Sequence, residues 1–175
     1  MTGNMLSKWL KIMALLSLCL ILVAPVAIMA KVQLPQEKEV KVKFDSNMKI
    51  SSGNLTQGIP LLIHLAESIE IGGIVIVEKD AVGTAIVSEI EKAGHGGKPG
   101  RIKVEFTELE TKGRFFSPEG DKIKLGGIVE NKGHGKKILS YLFIAGLFIK
   151  GGQGQINVDS VYTATIKEPI LLDKK

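Results

Sequence analysis

The strongest structural signal in the sequence is a regular alternation of apolar and polar residues around position 104. Ile102, Val104 and Phe106 are separated by the polar residues Lys103 and Glu105. Because successive side chains of a β-strand point to opposite faces of a sheet, this pattern predicts a strand with one buried face. The chain must therefore supply partner strands for it and a core for it to cover.

Several other segments supply candidate partner strands. A turn at 117–121, with Pro and Gly at turn-favoured positions, predicts that residues 102–129 form a hairpin. The β-branched run 74–77 is typical of a buried strand. Residues 161–167 alternate as a final strand, and a short tail follows at 168–175.

Residues 84–92 fit two kinds of secondary structure. As a helix they would extend an apolar stripe through Val82, Ile86 and Ile90, ending at Gly94 as a C-cap. As a strand they would place alternate residues on opposite faces. We predict a strand, because strands flank the segment on both sides and little chain is available between them.

These patterns together predict an all-β fold, a single sandwich or partly closed barrel of about seven or eight strands. Residues 59–175 form the predicted β-domain, and residues 31–58 a linker with a candidate first strand at its end. The domain carries a short apolar helix or excursion near 138–149, a run too short to span a membrane as a helix. It is either buried, or an exposed interaction surface formed by Leu142, Phe143, Leu147 and Phe148.

The first 30 residues have the pattern of a secretory signal peptide. Lys8 and Lys11 precede an uncharged apolar run, Pro25 interrupts that run, and the small residue Ala30 suits a cleavage site. The alternative is an uncleaved N-terminal anchor, because an apolar stretch of about 20 residues can just span a bilayer. Either way we expect the chain to cross the cytoplasmic membrane and to reside in the periplasm or at the cell surface.

Cysteine content and charge limit the chemistry of the part after residue 30. The chain's single cysteine, Cys19, lies in the predicted signal segment, so the domain folds without disulfides. Removing Lys8 and Lys11 from the count leaves 21 basic against 18 acidic side chains, a net charge of +3. Such a mild charge permits contact with anionic polymers but does not indicate nucleic-acid binding.

Two loops repeat the tripeptide Gly-His-Gly among lysines, at 94–96 and 133–135. Successive backbone N–H groups in glycine-rich turns can cradle an anion, and neighbouring lysines add positive charge. The alternative is that both are plain hairpin turns with solvated lysines. The candidate anion- or polymer-binding residues are Lys92, His95, Lys98, Arg101, Lys132, His134, Lys136 and Lys137.

No catalytic motif is present in the sequence. The three histidines, His64, His95 and His134, are too widely spaced for a compact zinc motif, and no G-x-S-x-G elbow occurs. We therefore predict a protein that is not an enzyme and has no metal or cofactor. A hydrolase would require the three histidines to converge with carboxylates in one pocket.

The order of turns and strands resembles small secreted bacterial β-domains of unknown function. The resemblance covers residues 59–166 and is carried by turn and strand motifs. They are the sequences V-E-K-D-A (77–81), G-T-A-I-V (83–87), K-A-G-H-G-G-K-P-G-R-I (92–102), P-E-G-D-K-I-K-L-G-G (118–127), L-F-I-K-G-G-Q (147–153) and V-D-S-V-Y-T-A-T-I (158–166).

The same order is similar, more distantly, to the β-domain of TrbI-like channel components of type IV secretion, which build rings in the cell envelope. This resemblance implies an envelope-assembly role. We therefore expect a non-catalytic secreted envelope protein that binds other envelope components, with proximity to the membrane and self-assembly as open alternatives. The alternative function is a binding module for an anionic cell-wall polymer.

Overall fold

A computed structural model describes residues 31–134 and 150–175 as an all-β domain. The predicted fold class is confirmed, and the predicted strand at 84–92 overlaps an observed strand at Val82–Glu91. The predictions for residues 1–30 and 138–149 fall outside the described residues. The strands are β1 (Lys31–Leu34), β2 (Glu39–Phe44), β3 (Ile50–Ser51), β4 (Pro60–Leu65), β5 (Ile69–Ile71), β6 (Ile74–Val77), β7 (Val82–Glu91), β8 (Arg101–Leu109), β9 (Phe115–Phe116), β10 (Ile123–Gly126), β11 (Ile128–Lys132), β12 (Gln155–Ile156), β13 (Tyr162–Ile166) and β14 (Ile170–Lys174).

Six strands close into a barrel. Their order is β10-β13-β2-β4-β7-β8, and β8 pairs again with β10 to complete the circle. A seventh strand, β11, continues from β10 along the rest of β8. Gly127 connects β10 to β11, and its φ of +124° is a conformation that L side chains rarely adopt. Gly127 therefore allows β10 to close the barrel against β8 and β11 to continue along β8 outside the closed circle.

The barrel is filled by side chains of its own strands. Val42, Phe44, Ile63, Val104 and Phe106 are all buried, as the alternation in each strand requires. An aromatic group lies among them, since the ring centroid of Phe44 is 5.9 Å from that of Phe106. The interior is therefore a packed core, as expected for so few strands.

Three smaller units surround the barrel: the sheet β1-β14-β9, the hairpin β5–β6 and the pair β12–β3. Their buried residues, such as Leu34, Leu172, Ile76 and Ile156, belong to the same core as the barrel residues. The units therefore extend one hydrophobic core, and the described residues form one folded domain.

Two sequence-based boundaries change in the structure. Residues 31–58, predicted to be mainly a linker, contribute β1, β2 and β3, and β2 lies in the middle of the barrel between β13 and β4. The predicted tail at 168–175 contains β14, which pairs with both β1 and β9. In both cases the segment supplies core residues, Val40 in β2 and Leu172 in β14.

Candidate binding surfaces

The two glycine-basic loops meet at one end of the barrel. The N–H of Gly133 donates to the carbonyl of Gly100 at 2.8 Å, and Gly152 N–H donates to His134 at 2.9 Å. Gly100 N–H in turn donates to Gly152 at 2.9 Å. We call this arrangement the glycine junction; it consists of residues 92–100, 133–134 and 150–154.

Close backbone approach explains why the junction is rich in glycine. A Cβ atom added to Gly133 would overlap the carbonyl oxygen of Gly152, and one added to Gly151 would overlap that of Lys98. Gly94 differs, because a Cβ there would meet only the side chain of Lys98 at 3.5 Å, an ordinary contact. The glycines of the junction thus allow segments to pack, and several of their N–H groups already serve internal carbonyls.

A buried serine and a glutamine fasten the junction to the rest of the domain. Ser52, which is fully buried, donates through Oγ to Oε1 of Gln153 at 2.7 Å and accepts from Gly154 N–H at 3.0 Å. Ala93 N–H donates to the same Gln153 oxygen at 3.0 Å. Neither side chain can be recognised from the sequence, because both lie in polar, glycine-containing loops that carry no periodic signal.

Two of the predicted anion-binding cations are held by carboxylates. Arg101 Nε donates to Glu130 at 2.7 Å, its NH1 lies 3.4 Å from Glu89, and Lys98 lies 3.7 Å from Glu91. The hydrogen bond to Glu130, followed by the charge of that carboxylate, raises the pKa of Arg101. The charges of these two residues are therefore balanced by carboxylates within the domain.

The remaining predicted cations divide into two groups. The side chains of Lys92, His95, Lys132 and His134 are exposed at the glycine junction, and within 31–134 and 150–175 no carboxylate lies within 4.0 Å of them. The positive charges of Lys92 and Lys132 are therefore available to solvent. The other predicted residues, Lys136, Lys137, Leu142, Phe143, Leu147 and Phe148, lie outside the described residues.

The three histidines do not come together. His64 lies on β4 opposite Val82, the first residue of β7, whereas His95 and His134 lie at the junction that follows the last residue of β7. Among the described residues, no group of three or more His, Cys, Asp or Glu side chains could hold a metal ion. The convergence that a three-histidine hydrolase requires is absent from this part of the chain.

His64 instead borders a polar cleft of about 460 Å³. Its Nε2 lies 3.4 Å from Oδ2 of Asp45, and both side chains are about one-quarter exposed. A hydrogen bond from the Asn47 backbone N–H, and then the one from His64, lower the pKa of Asp45. In the described residues His64 makes no side-chain hydrogen bond to a hydroxyl, and Ser46 lines the same cleft.

A more apolar groove of about 610 Å³ separates hairpin β5–β6 from the sheet β1-β14-β9. Ile74 and Val75 at the start of β6 are 55% and 39% exposed, while Val32 and the buried Phe115 form the opposite wall. We call this the apolar groove. The prediction that residues 74–77 form a buried strand is wrong for Ile74 and Val75, since within this strand only Ile76 and Val77 reach the core. The first two residues of β6 directly follow the Gly72–Gly73 turn and lie beyond the edge of the core.

The rim of the apolar groove carries charges of both signs. Glu78, Arg114 and Lys174 line it beside the exposed Ile74 and Val75. An apolar centre with a mixed polar rim is the general arrangement of protein–protein contact sites. The groove cannot be predicted from the sequence because its walls come from four strands that are far apart in the chain.

The described residues define a class: a small, filled β-barrel with accessory strands, whose candidate sites in these residues lie on the outside of the barrel. No protein-family model matches the chain, and no curated protein matches it significantly. Within residues 31–134 and 150–175, no helix has the length and apolarity needed to cross a membrane.

Proposed function

We propose that this chain is a non-catalytic protein of the cell envelope that assembles with another envelope protein through the apolar groove. The observation that carries the proposal is the exposure of Ile74 and Val75 beside an apolar wall. Large apolar side chains gathered at a concave surface are typical of contact sites rather than of free surface. The signal-like N-terminal segment supports the envelope location.

The charged rim favours a protein over other envelope components. Arg114 and Lys174 alone would suit an anionic polymer or lipid headgroups, but Glu78 lines the same groove and would repel them. A protein segment can place apolar side chains against Ile74 and opposite charges at each rim residue. Such complementarity gives specificity at modest contact area.

Site-specific photo-crosslinking in the producing cells tests this proposal. A photoreactive phenylalanine replaces Ile74 in one variant and Val161 in the other; their exposures are 55% and 57%, and only Ile74 lines the groove. We expect an adduct with one envelope protein, identified by mass spectrometry, from position 74 alone. The double variant Ile74→Asp/Val75→Asp should abolish binding of that protein.

Two results would contradict the proposal. One is equal labelling from positions 74 and 161, which would indicate nonspecific contact. The other is a strict monomer in gel filtration and chemical cross-linking that captures no envelope component. Circular dichroism of the double variant should show that it is folded. A loss of binding can then be attributed to the changed surface and not to unfolding.

A second candidate function is binding of an anionic cell-wall polymer at the glycine junction. The observation that favours it is the meeting of both Gly-His-Gly loops, which gathers the exposed Lys92 and Lys132 at one end of the barrel. Side-chain charge would do the binding, because several junction N–H groups are already used internally. Exposed charge contacts are screened by salt, so binding should weaken as salt rises.

Sedimentation with purified cell walls distinguishes this second function. The variant Lys92→Gln/Lys132→Gln should reduce co-sedimentation, and 0.5 M salt should reduce that of the unmodified protein. The matched control is Lys122→Gln, which changes charge at a lysine held by Glu108 and Glu110 away from the junction. Binding that is unchanged from low to high salt would reject polymer binding.

A further inference from the structure

The apolar groove lies between two strands that are each paired on one side. Among the described strands, β6 pairs with β5 alone, and β9 is the last strand of the sheet β1-β14-β9. Val75 of β6 and Phe115 of β9 both line the groove. The groove therefore has a sheet edge on each side, and the main-chain groups at these edges decide what it can hold.

The main-chain N–H and C=O of Val75 point away from β5. The Gly72–Gly73 turn has φ values of +57° and +78°, as a two-residue type I′ hairpin turn requires. Such a turn bonds the N–H of Ile74 to the carbonyl of Ile71. Bonded and non-bonded pairs alternate along an antiparallel ladder, so the next pair, Glu70 with Val75, is non-bonded. The polar main-chain groups of Val75 are therefore left for a strand on the other side.

Phe115 is in the same position on the opposite wall. The N–H of Lys175 donates to the carbonyl of Arg114 at 2.8 Å, so Arg114 faces β14. Phe115 is the next residue, and its N–H and C=O point away from β14. Within 31–134 and 150–175, no other backbone group bonds to the main chain of Val75 or Phe115. Phe115 is only 4% exposed, and main-chain groups of buried residues are normally paired.

The two edges are joined at one end of the groove. The N–H of Glu78, directly after β6, donates to the carbonyl of Lys112 at 3.0 Å. In the described residues this is the one backbone bond between residues 74–78 and 112–116, and the groove of about 610 Å³ lies beside it. Ordinary ligand pockets have volumes of about 300–1,000 Å³, so a few residues of extended chain have room here.

We propose that the envelope partner enters the apolar groove as an extended segment and adds a β-strand between β6 and β9. Its main chain bonds to Val75 on one side and to Phe115 on the other. The hairpin β5–β6 and the sheet β1-β14-β9 then become parts of one continuous sheet. Strand addition at free sheet edges is a general mode of peptide recognition. The inference rests on the function proposed above, because it specifies the form in which that partner binds.

The walls of the groove also specify the side chains of the added strand. Successive side chains of a strand alternate between its two faces. One set meets the apolar wall formed by Val32 and Phe115, so every second residue of the partner segment is apolar. A lipid chain can cover the same wall, but it offers no N–H or C=O to the main chain of Val75. The unpaired main-chain groups thus favour a polypeptide.

Strand addition is tested by photo-crosslinking from position 74 in cells that carry a second substitution. Val75→Pro removes an N–H that the hairpin does not use, and proline is tolerated at strand edges. Val75→Ala is the matched control, since it shortens the side chain and keeps the N–H. We expect about tenfold less adduct from Val75→Pro than from Val75→Ala.

Each other result of this experiment has a definite meaning. Equal labelling from the two variants overturns strand addition and leaves the groove as a contact site of another kind. An adduct with a second copy, or within the same chain, overturns the identity of the occupant. No adduct even without the second substitution means that the proposed function itself fails, and strand addition with it.

Amide hydrogen exchange tests the same pairing without a variant. The partner segment identified in the adduct is synthesised as a peptide and added to the purified protein. At saturation, NMR should show exchange slowed about tenfold or more at the Val75 and Phe115 amides. The amide of Ile128, an exposed residue of β11 away from the groove, should be unaffected. Unchanged exchange at Val75 and Phe115 overturns the inference, and this result stands even if Val75→Pro fails to fold.

Discussion

Arg101 on β8 donates a hydrogen bond of 2.7 Å from Nε to Oε1 of Glu130 on β11, across the hairpin that leaves the barrel. This bond, more than the accompanying charge, lowers the pKa of Glu130. We expect Arg101→Gln to raise that pKa toward the ordinary value of 4.5. An NMR titration of the Glu130 carboxyl group measures it directly.

The direction of the pH effect follows from the lowered pKa. A carboxylate whose pKa is depressed by folding stabilises the protein above its unfolded-state pKa, and the contribution disappears as pH falls through the folded value. The unmodified protein should therefore lose stability below about pH 4.5 more steeply than Arg101→Gln. Lys122→Gln is the control, since Lys122 pairs with Glu108 and Glu110 instead. An unchanged Glu130 titration in Arg101→Gln would refute this assignment.

The glycine junction should tolerate a methyl group at one glycine and reject it at another. Gly133→Ala places a Cβ onto the Gly152 carbonyl oxygen, so we expect a loss of about 1–3 kcal/mol in the free energy of unfolding. Gly94→Ala in the same junction meets only the Lys98 side chain and should change stability by less than about 0.5 kcal/mol. Urea denaturation of both variants decides the matter; equal stabilities would mean that the backbones can separate freely.

Ser52 should contribute more to stability than a serine in a loop normally does. Ser52→Ala removes the acceptor for Gly154 N–H and one donor to Gln153 in a buried site, at a cost of about 1–3 kcal/mol. Ser46→Ala provides the comparison, because Ser46 is exposed and its removal should be nearly neutral. Chemical denaturation in which the two variants behave alike would show that the buried bonds are dispensable.

The aromatic centre of the barrel should be the most sensitive part of the core. Phe44 is 1% exposed, and its ring centroid lies 5.9 Å from Phe106 and 5.4 Å from Tyr162. Phe44→Ala should therefore lower the free energy of unfolding by about 3–5 kcal/mol. Val161→Ala, at a position 57% exposed, should be within about 0.5 kcal/mol of the unmodified protein. A loss below about 1 kcal/mol for Phe44→Ala would mean that the barrel repacks around the cavity.

Alternation was sufficient to predict the fold class but not the closure of the sheet. The pattern around Val104 identifies a strand from its own residues, and a turn at 117–121 identifies its partner. Closure requires β10 to pair with β13 and β13 with β2, which are distant in sequence and share no local signal. A sandwich and a barrel therefore look alike until those pairings are known.

The candidate sites were harder to predict than the fold, for the same reason. Arg101 looks like an anion-binding residue beside Lys98 and Gly100, but the register of the sheet brings Glu89 and Glu130 to its side chain. The apolar groove likewise arises only when distant strands meet. Local sequence shows which charges are present, whereas pairing across the sheet decides which of them remain available.

The position of β2 has a consequence for how the chain folds during synthesis. This early strand lies between β4 and β13, and among the described strands β1 pairs with β14, about 140 residues later in the sequence. A ribosome therefore releases almost the whole sequence before the barrel can close. Contacts so distant in sequence make folding slow and expose unpaired strand edges meanwhile. The newly made chain should consequently persist as an open polypeptide until β13 and β14 have been released.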